Sequence, residues 1–405
     1  MRRPLSLLVL GNRCAGAENQ CLGLAESLQE RLESSTKRAV RQSFRRILPI
    51  ARAWEVIPPS AHVLISGLRK KWNWIGLENF DAKEASKNSD LCHELIQGPY
   101  PDVVIASGRT TVPACVAYRR ASGGKTFTVQ IQHPRCDLGL FDAVVIPVHD
   151  LICRLSRLSR NITSFEIDER RDLFEMRQSN IIPTMGSVHS VNQKSLLRSW
   201  NEQGLLLEPF TSQIGRKVVA VLIGGPTSRC TWDQPSFFVA LDNLLQVCRE
   251  RVSENGFSIL ISLSRRSPSG LLNEVMRWKD YIVNNDRSVS VFVWDPAVQT
   301  KPLNPYQAML FIADLIVVTA DSVGMCSEAC STGKPVVVLL SDRCIGKLRF
   351  FHDSLRHFGY TTCLEEHSPL PCFPICPVKV LDDTGTVSRL LLPRILEHQD
   401  RIGCA

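Results

Sequence analysis

A short apolar strand, then a glycine-bearing loop, then a helix: this unit occurs near the start of the chain and again just past its middle. Residues 5–10 run into Gly11-Asn12-Arg13-Cys14-Ala15-Gly16. A helix is expected from about residue 18, with Cys21, Leu24, Ala25, Leu28 and Leu32 at helical spacing. Residues 218–223 run into Gly224-Gly225-Pro226, and a second helical pattern covers about 236–249. Each opening is followed by more of the same alternation. In the first series, strands are expected at 103–106, 126–131 and 143–148. In the second they are expected at 258–264, 289–294, 315–319 and 335–340, with helices at about 305–313 and 323–332.

Continuous apolar strands separated by helices belong to parallel sheets covered on both faces. Two series in 405 residues predict an α/β protein of two Rossmann-like, doubly wound domains facing a central cleft, with ligands at the strand carboxyl ends. The polar stretch around 190–216 is read as the joint, with the hinge at 205–215. The expected domains are 1–208 and 209–405.

Composition narrows the function classes. Hydrophobic residues at 44% and charged residues at 22% exclude disordered and coiled-coil chains. No apolar run approaches the roughly 18 residues of a membrane span. The start, Met1-Arg2-Arg3-Pro4 and a brief apolar run, is read as a buried strand rather than a signal segment. The net charge of +8 is concentrated partly at Lys37, Arg38, Arg41, Arg45, Arg46, Arg52, Arg69, Lys70 and Lys71, near Trp54, Trp72 and Trp74. That stretch reads either as a solvated helix face or as a docking surface for anionic lipid, phosphate or an acidic partner. No aromatic-interleaved nucleic-acid signature accompanies it, so nucleic acid is not expected as a partner. The 15 cysteines form no CxxC pair, and no matching histidine pair completes a zinc site. A reducing compartment and no metal are expected.

Residues that could carry chemistry sit where strands end. The loop holding Gly11, Gly16, Asn19 and Gln20 opens a helix, whose free N–H groups suit an anion or an acceptor substrate; the alternative is a tight turn. Arg109, after Ser107-Gly108, stands at another strand tip and suits an anion. His133 ends a third strand, where a histidine can act as general base toward an acceptor hydroxyl; His149-Asp150 is a lesser candidate. In the second series, Gly224, Gly225 and Thr227 suit a phosphate or ribose. The richest segment is Asp321-Ser322-Val323-Gly324-Met325-Cys326-Ser327-Glu328-Ala329, closing on Gly333-Lys334-Pro335. Its Glu-Ala-x-x-x-Gly-x-Pro spacing resembles the donor-binding segment of glycosyltransferases of the B architecture. That likeness implies loop amides and Ser322 and Gly324 near a diphosphate, with Glu328 on the ribose. No resident cofactor is expected; the ligand implied is a nucleoside-diphosphate sugar.

Several stretches together resemble one family. They are Gly11 to Leu24 with Asn19-Gln20-Cys21, Ala106-Ser107-Gly108-Arg109-Thr110-Thr111-Val112-Pro113, Val129-Gln130-Ile131-Gln132-His133-Pro134-Arg135, and Phe141-Asp142 through His149-Asp150. Leu222-Ile223-Gly224-Gly225-Pro226, Asn304-Pro305-Tyr306 and Thr319-Ala320-Asp321-Ser322 through Pro335 continue it. The chain is similar to plant mitochondrial fission factors of the elongated-mitochondria type, which have bacterial relatives. The resemblance implies a glycosyltransferase-B-like fold and a peripheral adaptor on the cytosolic face of the mitochondrial outer membrane. Such an adaptor helps recruit a dynamin-related GTPase. A nucleotide-sugar-dependent enzyme, and a cytosolic or plastid location, are the alternatives.

Overall fold

The computed structural model describes residues 3–46, 99–155, 179–212, 215–251, 256–297, 304–363 and 379–403. In chain order the first elements are β1 (Leu5–Gly11), α1 (Ala15–Thr36), β2 (Val40–Arg46), β3 (Val103–Ser107), α2 (Val112–Ala121), β4 (Phe127–Ile131), β5 (Ala143–Pro147), α3 (Val148–Leu155) and β6 (Ile181–Thr184). Then come α4 (Gln193–Thr211), β7 (Lys217–Ile223), α5 (Gln234–Arg251), β8 (Phe257–Leu263), α6 (Leu271–Asn285) and β9 (Val289–Trp294). The series ends with α7 (Tyr306–Ile312), β10 (Leu315–Thr319), α8 (Val323–Cys330), β11 (Val336–Leu339), α9 (Lys347–His357), β12 (Thr362–Cys363) and α10 (Asp383–Gly403).

Two compact units result. One comprises Met1–Ser190 with Asp383–Ala405, the other Val191–Asp382. Among the described residues each holds a six-stranded sheet, ordered β2-β1-β3-β4-β5-β6 in the first and β12-β11-β10-β7-β8-β9 in the second. All strand pairings are parallel among the described residues. The two Rossmann-like α/β units of the sequence reading are therefore present.

Alternation along each strand explains the coverage on both faces. Leu5, Leu7 and Val9 of β1 pack with Val103, Ile105 and Val129 beneath α1 and α10. Leu8 and Leu10 point the other way, joining Val104, Ala106 and Val144 beneath Val112, Cys115 and Val116 of α2. A strand buried on both sides has no room for a polar face, hence the unbroken apolar runs.

The domain boundary differs from the one expected. Residue 208 and the supposed hinge at 205–215 fall largely on α4, which the polar composition concealed. That helix begins at a capping box: Asn192 accepts from the Ser195 N–H while the Ser195 side chain accepts from the Asn192 N–H. Its Leu196 and Leu207 are buried, so it belongs to the second unit. The last helix, α10, returns to the first unit. Val387, Leu391 and Ile395 enter the core under α1, and the Asp383 carboxylate accepts from the N–H groups of Met185 and Gly186.

The start of the basic stretch also differs. Lys37 ends α1 in the left-handed conformation (φ 54°), and Arg41, Arg45 and Arg46 lie on β2, which pairs with β1. They occupy a strand rather than a helix face. Trp54, Trp72 and Trp74, with Arg52, Arg69, Lys70 and Lys71, lie outside the described residues.

Gly23 lets α1 close on the segment leading out of β6. A Cβ there would sit 2.2 Å from the His189 carbonyl carbon, so helix and segment must separate to admit one. Gly23→Ala is expected to destabilise the protein by about 1–3 kcal/mol despite alanine's better helix propensity. Urea unfolding checks this, and an unchanged midpoint would refute the close-approach argument.

Candidate functional site

Ligands of open parallel sheets bind beyond the strand carboxyl ends where the winding direction reverses. In the second unit the chain runs outward through β7, β8 and β9, then restarts at β10 on the other side of β7. The reversal therefore lies between β7 and β10, whose following loops carry Gly224-Gly225 and Asp321-Ser322. In the first unit it lies between β1 and β3, whose loops carry Gly11 to Gly16 and Gly108-Arg109.

In the second unit these loops are tied together through one buried acid. The Asp321 carboxylate accepts from the Gly225 N–H at 2.7 Å and from the Trp232 indole N–H at 3.0 Å. Beside it, the Gly224 N–H donates to the Thr319 hydroxyl at 2.8 Å, which in turn hydrogen-bonds Asp321. Burial raises the Asp321 pKa, and the bonds from Thr319, Gly225 and Trp232 with the Arg266 charge oppose that rise. Both glycines are dictated by close approach: a Cβ on Gly224 would lie 1.9 Å from Asp321 Oδ2, and one on Gly225 1.8 Å from the Arg266 carbonyl oxygen. The two amides that the sequence offered to a diphosphate are thus already engaged inside the protein. Thr227 is likewise committed, its hydroxyl accepting from the N–H groups of Arg229 and Cys230.

What faces outward comes from a residue the sequence reading missed. Arg266, following β8, donates through Nη2 to Ser322 Oγ at 3.3 Å and lies 4.0 Å from Asp321 Oδ2, with 55% of its side chain exposed. Ser322 caps α8, accepting from the Met325 N–H. Gly324 in the first turn has open space where a Cβ would be. A guanidinium and a helix first turn with open space at Gly324 come together there, a combination suited to phosphate oxygens. Ser264-Arg265-Arg266-Ser267 follows β8 as Gly224-Gly225 follows β7, and that position at a strand end was the available signal.

Glu328 lies one and a half turns further along α8. Tyr306, at the start of α7, donates its hydroxyl to Glu328 Oε2 at 2.6 Å. Burial pushes the carboxyl pKa up to about 7, opposed by the Tyr306 bond. That bond occupies one of the two carboxylate oxygens of Glu328.

In the first unit the loops also interlock. Gly11 accommodates the Glu18 carboxylate, which accepts from the Arg13 N–H. Gln20 Oε1 receives the Ser107 hydroxyl and the Gln132 amide, and Asn12 donates to Thr110 Oγ1. Gly16, Asn19 and Arg109 are exposed beside this cluster. His133 Nδ1 accepts from the Arg135 N–H at 2.9 Å. One ring nitrogen is therefore already engaged within its own loop. His149 is buried.

The sequence model of the family described as mitochondrial fission ELM1 matches residues 15–395. Mitochondrial fission protein ELM1 of Arabidopsis thaliana is 28% identical over 378 residues, spanning 87% of this chain and 82% of that protein. The uncharacterized protein RP120 of Rickettsia prowazekii (strain Madrid E) is 30% identical over 258 residues, 62% of this chain and 67% of that one. Among solved structures, UDP-GlcNAc 2-epimerase from Methanocaldococcus jannaschii aligns with a TM-score of 0.49 at 12% identity, over 95% of this chain and 99% of that chain.

Glu328 makes stability depend on pH with a definite sign. Its carboxyl titrates at the ordinary 4.5 when unfolded and about 7 when folded. Between these values the unfolded chain has released a proton that the folded chain retains, so stability falls as pH rises through that window. Glu328→Gln keeps an oxygen for Tyr306 and has no proton to lose. Relative to wild type it is expected to gain about 1–3 kcal/mol between pH 5 and pH 7.5. Denaturant unfolding at both pH values measures this, and an unchanged difference would refute the assignment.

Proposed function

The chain belongs to the mitochondrial fission ELM1 family across residues 15–395, and from that premise we propose that it acts in mitochondrial fission. It serves as a peripheral adaptor on the cytosolic face of the outer membrane and helps bring a dynamin-related GTPase to the division site. The observation that carries this reading is the identity of 28% along 87% of the chain to the Arabidopsis thaliana fission protein. No helix among the described residues is long and apolar enough to cross a membrane. Surface attachment agrees with that, and Arg41 and Arg45 of β2 suit an anionic surface. Imaging of tagged chain together with a pull-down of the GTPase tests the reading. Mitochondrial signal, GTPase capture and elongated mitochondria on depletion are expected. A wholly plastid or diffuse signal without capture would overturn it.

A second reading rests on the rim of the second unit, where Arg266, Ser322 and the open first turn of α8 adjoin Glu328. That set suits a nucleoside-diphosphate sugar, with Arg266 and the α8 amides on the diphosphate and Glu328 on the ribose. An adaptor built on such a unit can retain the ligand as a signal or can still use it in transfer chemistry. Screening UDP-, GDP- and ADP-sugars by thermal shift tests it. At a hundredfold excess over Kd the ligand is expected to add about 2.7 kcal/mol to stability, and Arg266→Ala is expected to abolish that gain. No shift with any of them would overturn this reading and leave the adaptor role untouched.

A further inference from the structure

Two buried cysteines meet beside Asp321. Cys230 follows a tight turn in which Thr227 and Cys230 exchange both backbone hydrogen bonds. Cys344 follows the short 3₁₀ turn 341–343 after β11. The two residues face each other across an isolated antiparallel bridge. The Ile345 N–H donates to the Arg229 carbonyl at 2.8 Å, joining the residue after one cysteine to the residue before the other. That pattern makes Cys230 and Cys344 a non-hydrogen-bonded antiparallel pair, whose Cα atoms stand roughly 4.5 Å apart. The spacing lies within the range that a disulfide spans without moving the backbone. The Sγ atoms are 2.8 Å apart, inside ordinary non-bonded contact for two sulfurs.

We propose that Cys230 and Cys344 form a reversible disulfide, a modification site that responds to hydroperoxides. One thiol, as its thiolate, attacks hydrogen peroxide, giving a sulfenic acid and one water. The second thiol displaces the hydroxyl, forming the S–S bond and releasing a second water. Two cysteines lose two electrons and two protons, and one peroxide becomes two waters. The neighbouring Cys230 thiol and burial favour the protonated form of Cys344, and the 2.8 Å contact lets either cysteine resolve a sulfenic acid formed on the other. Both thiols are fully buried. Ser228, Arg343 and Ile345 around them are exposed, so opening of either turn admits a molecule as small as peroxide. In a reducing compartment the pair rests as thiols and closes only under oxidant.

The bond would join the loop after β7 to the loop after β11. Trp232, two residues past Cys230, holds Asp321, and Cys344 lies 3.7 Å from the Ala320 carbonyl through its own thiol. Oxidation therefore acts on the Gly224–Asp321 arrangement from both sides. The proposal depends on neither functional reading above.

The experiment uses the full chain, purified under reductant, treated with hydrogen peroxide, then alkylated and digested. The expected result is one peptide pair linked through Cys230 and Cys344 and separated by dithiothreitol. A reversible rise in Tm of about 5 °C or more should accompany it, because a covalent closure of this length restricts the unfolded chain. Cys230→Ala and Cys344→Ala should each lose the linked pair and the rise. Peptide mapping of wild type requires neither variant to fold. Recovery of both cysteines as alkylated thiols after oxidation, or their linkage to other cysteines instead, would overturn the proposal.

Discussion

Parallel pairing is the constraint from which the rest of the molecule follows. Neighbouring parallel strands cannot be joined by a tight turn, so each must be reached by a crossover. Every strand of a unit then releases its chain at the same rim of the sheet. Where the winding reverses, adjacent strands send their loops apart and leave a notch. Gly11 and Gly108 edge that notch in one unit, Gly224 and Asp321 in the other. Neither location required a specific side chain; the order of strands created both.

What the side chains add is rigidity. Burying a carboxylate is costly unless its oxygens are satisfied, and Asp321 is satisfied by partners from three places in the sequence. Removing any one donor leaves the others holding a group that has no water to turn to. The loop after β7 is consequently fixed by the acid that follows β10. Outward chemistry falls to the residues left over, chiefly Arg266 and the first turn of α8.

Much of this was legible in the residues themselves. Periodicity located β1, β9 and β10 almost to the residue, because strands covered on both faces must be apolar throughout. Gly224 and Gly225 could be singled out, yet their reason could not: sequence shows a glycine, and only packing shows that Asp321 and the Arg266 carbonyl exclude a Cβ. The same limit concealed Arg266, whose importance comes from its distance to Ser322 rather than from any motif. Helix α4 was missed because Asn192 and Ser195 look like a linker until their reciprocal bonds are seen. The inward turn of α10 was illegible for another reason. An apolar stripe of Val387, Leu391 and Ile395 states that something covers it, not which unit does so.

That returning helix has a consequence for how the chain is made. During synthesis residues 3–190 emerge before residues 191–382, but the core under α1 lacks Val387, Leu391 and Ile395 until residues 383–395 have also left the ribosome. The other unit is contiguous in sequence and can reach completion earlier. The unit whose first residues are translated first can therefore complete its core only after the other unit has emerged, and until then Leu24 and Leu28 lack the cover of α10.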